Sequence, residues 1–233
     1  MRYGTISAVE AALGAGANVD GHPDQPYAPI AMAIVGKSTD IVNHLLRHGA
    51  DPDKPVTVGV LLPGRVIGSP ILGARALHIA IKAESVEIIR LLLKGSRADP
   101  NATDNEGNTP LMTACLRQCV SVEMVRLLLE AGADPALADN TGVIALHAAA
   151  HSDIPDLIDM LHSKAPGTLN RCSSYGMTPL YVACYQGHEA IVSKLLSLGA
   201  MQPEPYRKSD VCPLAIAVAK GFVGVVSVLL NDG

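Results

Sequence analysis

An apolar anchor recurs along this chain at a nearly constant interval, and a period of that length leaves few folds open. Ile30, Leu77, Leu111, Leu146, Leu180 and Leu214 stand 47, 34, 35, 34 and 34 residues apart. Each lies in a short apolar segment: APIAMA, RALHIA, TPLMTA, IALHAA, TPLYVA and CPLAIA. A second run recurs in phase, as LLRHGADPD (45–53), LLKGSRADPN (92–101), LLLEAGADP (127–135) and LLSLGA (195–200). One supersecondary unit is therefore written several times over.

Its fullest copy, Gly107 to Pro135, reads as a helix hairpin. Thr109 can cap the first helix through its hydroxyl, and Pro110 occupies the first helical position, where a missing N–H costs nothing. Leu111, Ala114 and Cys115 give the buried stripe. A turn follows around Cys119 to Ser121. The second helix begins near Val122, presents Met124, Val125, Leu127, Leu128 and Leu129 as a broad apolar face, and stops at Gly132, suited to the left-handed position after a helix.

A single hairpin of this size cannot bury its apolar face, and helices of about ten residues are marginal alone, so the copies must stack. The pattern resembles the ankyrin repeat family, in which TPLHxA opens the first helix at a period of about 33 residues. The resemblance covers nearly the whole chain. It implies an all-α solenoid of stacked helix hairpins, here with one inserted β-finger. The expected organisation is an N-terminal half repeat or cap (1–20), a repeat (21–53), the apolar finger (54–73), repeats at 74–102 and 103–136, a degenerate repeat (137–170), a repeat (171–203) and a C-terminal repeat or cap (204–233).

The finger accounts for the one long interval. Val56, Val58 and Val60 alternate with Thr57 and Gly59, and Leu62 to Arg65, LPGR, spells a type II turn with glycine third. With only two charges and an apolar surface that includes Leu61 and Leu62 beside Arg65, such a hairpin should lie against something. Its own groove, a partner and a second copy of the chain are all open.

Several function classes are disfavoured. The net charge of −4 is spread among interspersed signs, with no run of Lys or Arg to follow a phosphate backbone, so nucleic acid is not an expected partner. No apolar run approaches a membrane span, and the N-terminus lacks the pattern of a secretory signal. The five cysteines form no CxxC pair, and Cys115 and Cys184 fall at the same small-residue slot of two copies. These features point to reduced thiols and to the cytoplasm or nucleus. No glycine-rich phosphate loop, nucleophile elbow or carboxylate pair is present, and no cofactor is expected.

The resemblance implies that ligands bind a concave surface built from inner helices and turn tips. Carried over copy by copy, its inner-helix positions include Lys82, Leu116, Arg117, His151, Tyr185 and Gln186. The tips add Tyr27, Glu106, Val143, Tyr175 and Met177. Leu116, Val143, Met177, Tyr175 and Tyr185 would make the middle of the groove apolar and aromatic, the composition of a binding hot spot. Leu61, Leu62 and Arg65 of the finger complete the expected binding set.

Two readings follow. In the first, the chain is a non-enzymatic recognition module that grips a protein partner with groove and finger. In the alternative, groove and finger enclose an apolar pocket for a small hydrophobic molecule, with His151, Tyr185, Tyr175 and Arg117 as the acid and base set if the pocket also converts it. His147 and His151 in HAAAH have a spacing that can hold a metal, with Asp153 near in sequence. The resemblance instead implies structural hydrogen bonding at His147 and His78, and no metal is expected. His44 and His48 share the spacing on a helix face expected to be solvent-exposed.

The copy from Asp139 to Asn170 is the poorest, because HSKAPGTLN replaces the glycine ending and His151, Ser152 and Asp153 crowd its inner turn. In a linear array a weak unit opens first. Hydrogen exchange monitored by mass spectrometry should therefore find faster amide exchange in 139–170 than in 107–135; equal protection would contradict the expectation.

Overall fold

The computed structural model describes residues 6–22, 28–56, 61–62, 65–66, 72–95, 97–116, 121–201 and 212–231, and the side chains of 61–62 and 65–66 are outside that description. The chain divides into two compact units, residues 1–113 with 130–133, and residues 114–129 with 134–233.

In the first unit, helix α1 (Ile6–Gly14) buries none of its residues and packs on α3. Helices α2 (Pro29–Val35) and α3 (Thr39–Arg47) form one hairpin. A two-residue antiparallel ladder follows, β1 (Leu61–Leu62) with β2 (Arg65–Val66), pairing Leu61 with Val66 and Leu62 with Arg65. Helices α4 (Ala76–Lys82) and α5 (Val86–Leu93) form the next hairpin, with α4 against α2 and α5 against α3. Helices α6 (Pro110–Cys115) and α7 (Val122–Glu130) each begin in one unit and end in the other. In the second unit α8 (Ala145–Ala150), α10 (Pro179–Gln186) and α12 (Pro213–Lys220) form an inner row, and α9 (Pro155–Lys164), α11 (Glu189–Ser197) and α13 (Val223–Asn231) an outer one.

The core follows the anchors. Leu77, Leu111, Leu146 and Leu180 are fully buried, with Ile34, Ile88, Ile89, Leu92, Leu128 and Leu157 beside them from both helix rows. Burial of each such side chain contributes about 1.5–3 kcal/mol, which offsets the ordering of helices too short to persist alone.

Helix starts use two chemistries that replace one another. Where the residue before the helix is threonine, its Oγ1 accepts an N–H three residues on: Met112 donates to Thr109 and Tyr181 to Thr178, both at 3.2 Å. Where that residue is Arg75 or Ile144, a histidine inside the first turn reaches back instead. Its Nδ1 accepts the N–H of Arg75 at 3.2 Å (His78) or of Ile144 at 3.3 Å (His147). Either way an orphan backbone donor is satisfied.

Neighbouring copies are stapled by Asx side chains on the opposite edge. Asp20 accepts the N–H of Asp51 at 2.9 Å, and Asp53 accepts the N–H of Asp99, 2.9 Å from its nearer oxygen. Asn101 donates to the Gly132 carbonyl at 3.2 Å, and Asn170 accepts the N–H of Met201 at 2.8 Å. The Asp53–Asp99 staple links copies on either side of the insertion, so the extra chain is accommodated without breaking the pattern. The insertion leaves and returns through a bridge in which Val56 donates to Ala74 at 2.9 Å and Gly73 donates to Val56 at 3.0 Å. The fold itself is helical. Most of the expected finger, including Val58, Val60 and the centre of the LPGR turn, lies outside the described residues.

One expectation needs correction. His44 is not solvent-exposed throughout: its Nε2 is buried, with no hydrogen-bond partner among the described residues, and its ring centroid lies 4.3 Å from that of exposed His48 with the planes tilted by 35°. The degenerate copy ends differently from the others. Past α9 a 3₁₀ turn, Pro166–Thr168, takes the place of the glycine stop and buries Leu169, with the Thr168 hydroxyl donating to the Ala165 carbonyl at 2.7 Å.

Glycine is favoured where inner helices end in the left-handed region. Gly187 (φ 81°) and Gly221 (φ 75°) follow that preference, but Lys37 (φ 53°) and Glu84 (φ 55°) stand at the same place after α2 and α4. At Lys37 the closing bonds are retained, with its N–H on the Ile34 carbonyl at 2.9 Å. A Cβ in that region costs about 1–2 kcal/mol, partly offset by the entropy glycine loses on folding. Lys37→Gly should raise unfolding free energy by roughly 0.5–1 kcal/mol in urea titration; a fall would show that the lysine side chain compensates for the strain.

Candidate functional site

The second unit presents its tips as repeated five-residue turns, and their geometry is dictated locally. Asp139 donates its N–H to the Val143 carbonyl at 2.9 Å, while its carboxylate accepts the N–H groups of Thr141 and Val143 at 2.8 and 2.9 Å. Ser173 repeats the arrangement, donating to Met177 at 2.9 Å and accepting from Tyr175 and Met177 at 3.3 Å. Ser174 donates to the Thr141 carbonyl at 2.7 Å, which joins the two turns. Gly142 lies at φ 78°, and a Cβ there would come within 3.1 Å of the Ser174 nitrogen, so sterics and backbone conformation both require glycine. The turns leave Val143 and Met177 beside the inner helices.

Between these tips and helices lies a hollow of ≈ 420 Å³. Leu116, Val143 and Met177 line it with His147, Ala148 and His151 of the α8 segment. Tyr181, Val182, Tyr185 and Gln186 of α10 complete it. The lining is overwhelmingly apolar. Leu116 is 48% exposed and Tyr185 43%, large surfaces left open at the rim. The Lys220 ammonium lies 3.6 Å from the centroid of the Tyr185 ring, and the Tyr181 ring is 6.4 Å from that of Tyr185.

His147 is buried at the cavity wall, with both nitrogens engaged. Nδ1 accepts from Ile144, and Nε2 donates to the Met177 carbonyl at 2.9 Å, tying inner helix to tip. His78 is held alike, with Nε2 on the Asn108 carbonyl at 2.9 Å. Because a carbonyl can only accept and a backbone N–H only donate, each ring is the neutral Nε2–H tautomer. His147 is therefore committed to structure and has no nitrogen left for a metal or a proton transfer. His151 is exposed, and among the described residues its ring nitrogens meet no partner. Its carbonyl accepts from His188 Nε2 at 3.1 Å, and His188 Nδ1 stands 3.8 Å from Asp153.

Of the residues singled out from sequence, Leu116, Val143, His151, Met177, Tyr185 and Gln186 share this cavity. Tyr175 does not line it; it stands at the crest of its tip, 66% exposed. Lys82 ends α4 and Glu106 lies on the 104–108 tip, both in the first unit, where Glu106 accepts from the Asn108 carboxamide at 3.3 Å. Tyr27, Arg117 and the side chains of Leu61, Leu62 and Arg65 lie outside the described residues. Sequence reasoning missed Tyr181 and Val182 as lining residues. A signal was present: Tyr181 stands four residues before Tyr185, and so one helical turn deeper on the same face. The buried thiols Cys115 and Cys184 are both pushed up to about 12 by desolvation, which removes them as nucleophiles.

A family model for ankyrin repeats matches three overlapping stretches, residues 57–139, 77–170 and 146–233. The chain is an ankyrin-repeat protein. Human ankyrin repeat and SOCS box protein 16 is 32% identical over 216 residues, spanning 88% of this chain and 43% of that one. The mouse B-cell lymphoma 3 protein homolog is 30% identical over 214 residues, 80% of this chain and 47% of its own. The chain thus spans less than half the length of these relatives. An ankyrin repeat domain from Acinetobacter baumannii superposes with TM-score 0.70 at 25% identity, covering 88% of this chain and 97% of that domain. The ankyrin domain of Bcl-3 superposes with TM-score 0.71 at 22% identity, covering 90% and 88%. Ankyrin repeat domains generally mediate protein–protein interaction.

The histidine bonds of this ankyrin array give its stability a pH dependence. Burial lowers the pKa of both His78 and His147 below the ordinary 6.5, against the opposing effect of their carbonyl bonds. Above about pH 6.5 both states are neutral and the stabilisation is complete; as pH falls below it the unfolded chain takes up protons that the fold refuses, and stability declines towards the folded pKa. His147→Gln should cost about 1–3 kcal/mol at pH 7 and flatten the decline between pH 7 and 5 in urea titrations; an unchanged slope would show that other groups govern it.

Proposed function

We propose that this ankyrin array is a non-enzymatic recognition module that binds a protein partner through the groove of its second unit, with the 54–73 finger as a further contact. The observation that carries the reading is the cavity beneath Leu116 and Tyr185: an apolar hollow of ≈ 420 Å³ with two large side chains left partly in water at its rim. Tyr185 on α10 and Leu116 just past α6 offer large apolar contact area, and partners place their anchors in such pockets. Tyr175, exposed on the neighbouring tip, and Arg117 of the same unit would widen the contact, while Tyr27, Lys82, Glu106, Leu61, Leu62 and Arg65 are proposed as contacts of the first unit. The reading carries with it a reducing compartment, cytoplasm or nucleus, in which the buried thiols remain unpaired.

One observation favours a second reading. The cavity volume falls in the range typical of small-molecule sites, so a hydrophobic ligand would also fit. Binding is better supported than conversion, because Tyr175, one of the expected acid and base set, stands outside the lining.

Native mass spectrometry of the chain after incubation with an extract of its source, beside Tyr185→Ala and Leu116→Glu, separates the readings. A bound protein whose affinity falls in both variants, by about 2 kcal/mol for Tyr185→Ala, is expected. A protein retained equally by both sinks the groove assignment, and a bound small-molecule mass in its place brings the second reading forward.

A further inference from the structure

We infer that the segment this groove accepts is acidic as well as apolar: it places one large apolar side chain in the cavity and an Asp or Glu carboxylate on the ammonium of Lys220. The inference rests on the recognition reading above and narrows it to a class of partner.

The charge at the rim carries the argument. Lys220 is the last residue of α12 and is exposed, yet its ammonium is parked 3.6 Å from the Tyr185 ring centroid, directly beside the cavity mouth. A cation on an aromatic face is held by about 0.5–1 kcal/mol at exposed sites, enough to favour one position without neutralising the charge. Among the described residues Lys220 makes no ion pair. Pairing is available elsewhere in the same unit, since Lys194 meets Asp159 at 2.9 Å on the outer helices and Asp153 faces His188 at 3.8 Å. Among the described residues the groove rim has no such partner, and no carboxylate lines the cavity.

The local sign is therefore positive on a chain whose formal net charge is −4. A carboxylate arriving at Lys220 gains a partner already oriented, and Lys220 has no ion pair with a described residue to break. A basic segment would meet repulsion and leave Lys220 unpaired, so the arrangement selects against it as well as for an acid. The hollow below is apolar, so the same segment must also bring an aliphatic or aromatic side chain, whose burial supplies most of the affinity. Acid and anchor must lie within a few residues of each other, because Lys220 and the cavity share the Tyr185 ring.

The test is a selection from phage-displayed random linear peptides against the full chain, followed by dissociation constants for the winning synthetic peptides. Each peptide is compared with its Glu→Gln or Asp→Asn form on wild type, Lys220→Gln and Leu116→Glu. The winners should pair Leu, Ile or Phe with an acid within three residues. Neutralising the acid or Lys220 should each weaken binding about fivefold, and the second change should add little to the first. Winners without an acid, or winners indifferent to Lys220→Gln, would overturn the inference, as would a selection that yields no groove binder. Leu116→Glu keeps the two levels apart. If it leaves affinity intact the groove reading itself fails, whereas if it abolishes binding while Lys220→Gln changes nothing, only the acidic preference is lost.

Discussion

Everything in this fold depends on helices of six to ten residues that cannot persist alone. Each hairpin gains its stability from the apolar face that a neighbour covers, so α4 rests on α2, and α10 on both α8 and α12. That dependence explains why the buried anchors repeat with so little variation. It explains equally why the exposed positions of the inner helices are free to vary, since they contribute nothing to stacking.

Short helices also carry a heavy load of unpaired backbone groups at their ends, and the sequence meets it in more than one way. Thr109 and Thr178 cap with hydroxyls, while His78 and His147 cap with imidazoles and spend the other ring nitrogen on the next tip. The second solution couples a helix start to a turn about thirty residues on, at the cost of a neutral buried ring. It also disposes of the apparent metal pair in HAAAH: one histidine is a structural bolt, and the other stands in solvent.

Much of this was legible in the chain. The period, the Pro110 start, the Thr109 cap and the glycine ending at Gly132 follow from local backbone chemistry, and the helices at Pro110–Cys115 and Val122–Glu130 lie where that chemistry puts them. The cavity was only partly legible. Leu116, Met177 and Tyr185 could be assigned to one surface by counting within each copy, but Tyr181 occupies a slot where other copies keep a structural histidine, and Tyr175 could not be separated from Met177 two residues away. His44 was misjudged because helical spacing says nothing of what packs over a ring.

The sequence by itself determined the repeat, the helix hairpins and their caps, and with them membership of the ankyrin family, because those properties depend on neighbours along the chain and on one recurring spacing. Tertiary structure alone decided that Lys220 would lie on Tyr185, that a 3₁₀ turn would close the degenerate copy around Leu169, and that six of the expected binding residues would share one hollow. Those outcomes depend on side-chain direction and on how segments pack against one another, which the repeat pattern does not specify.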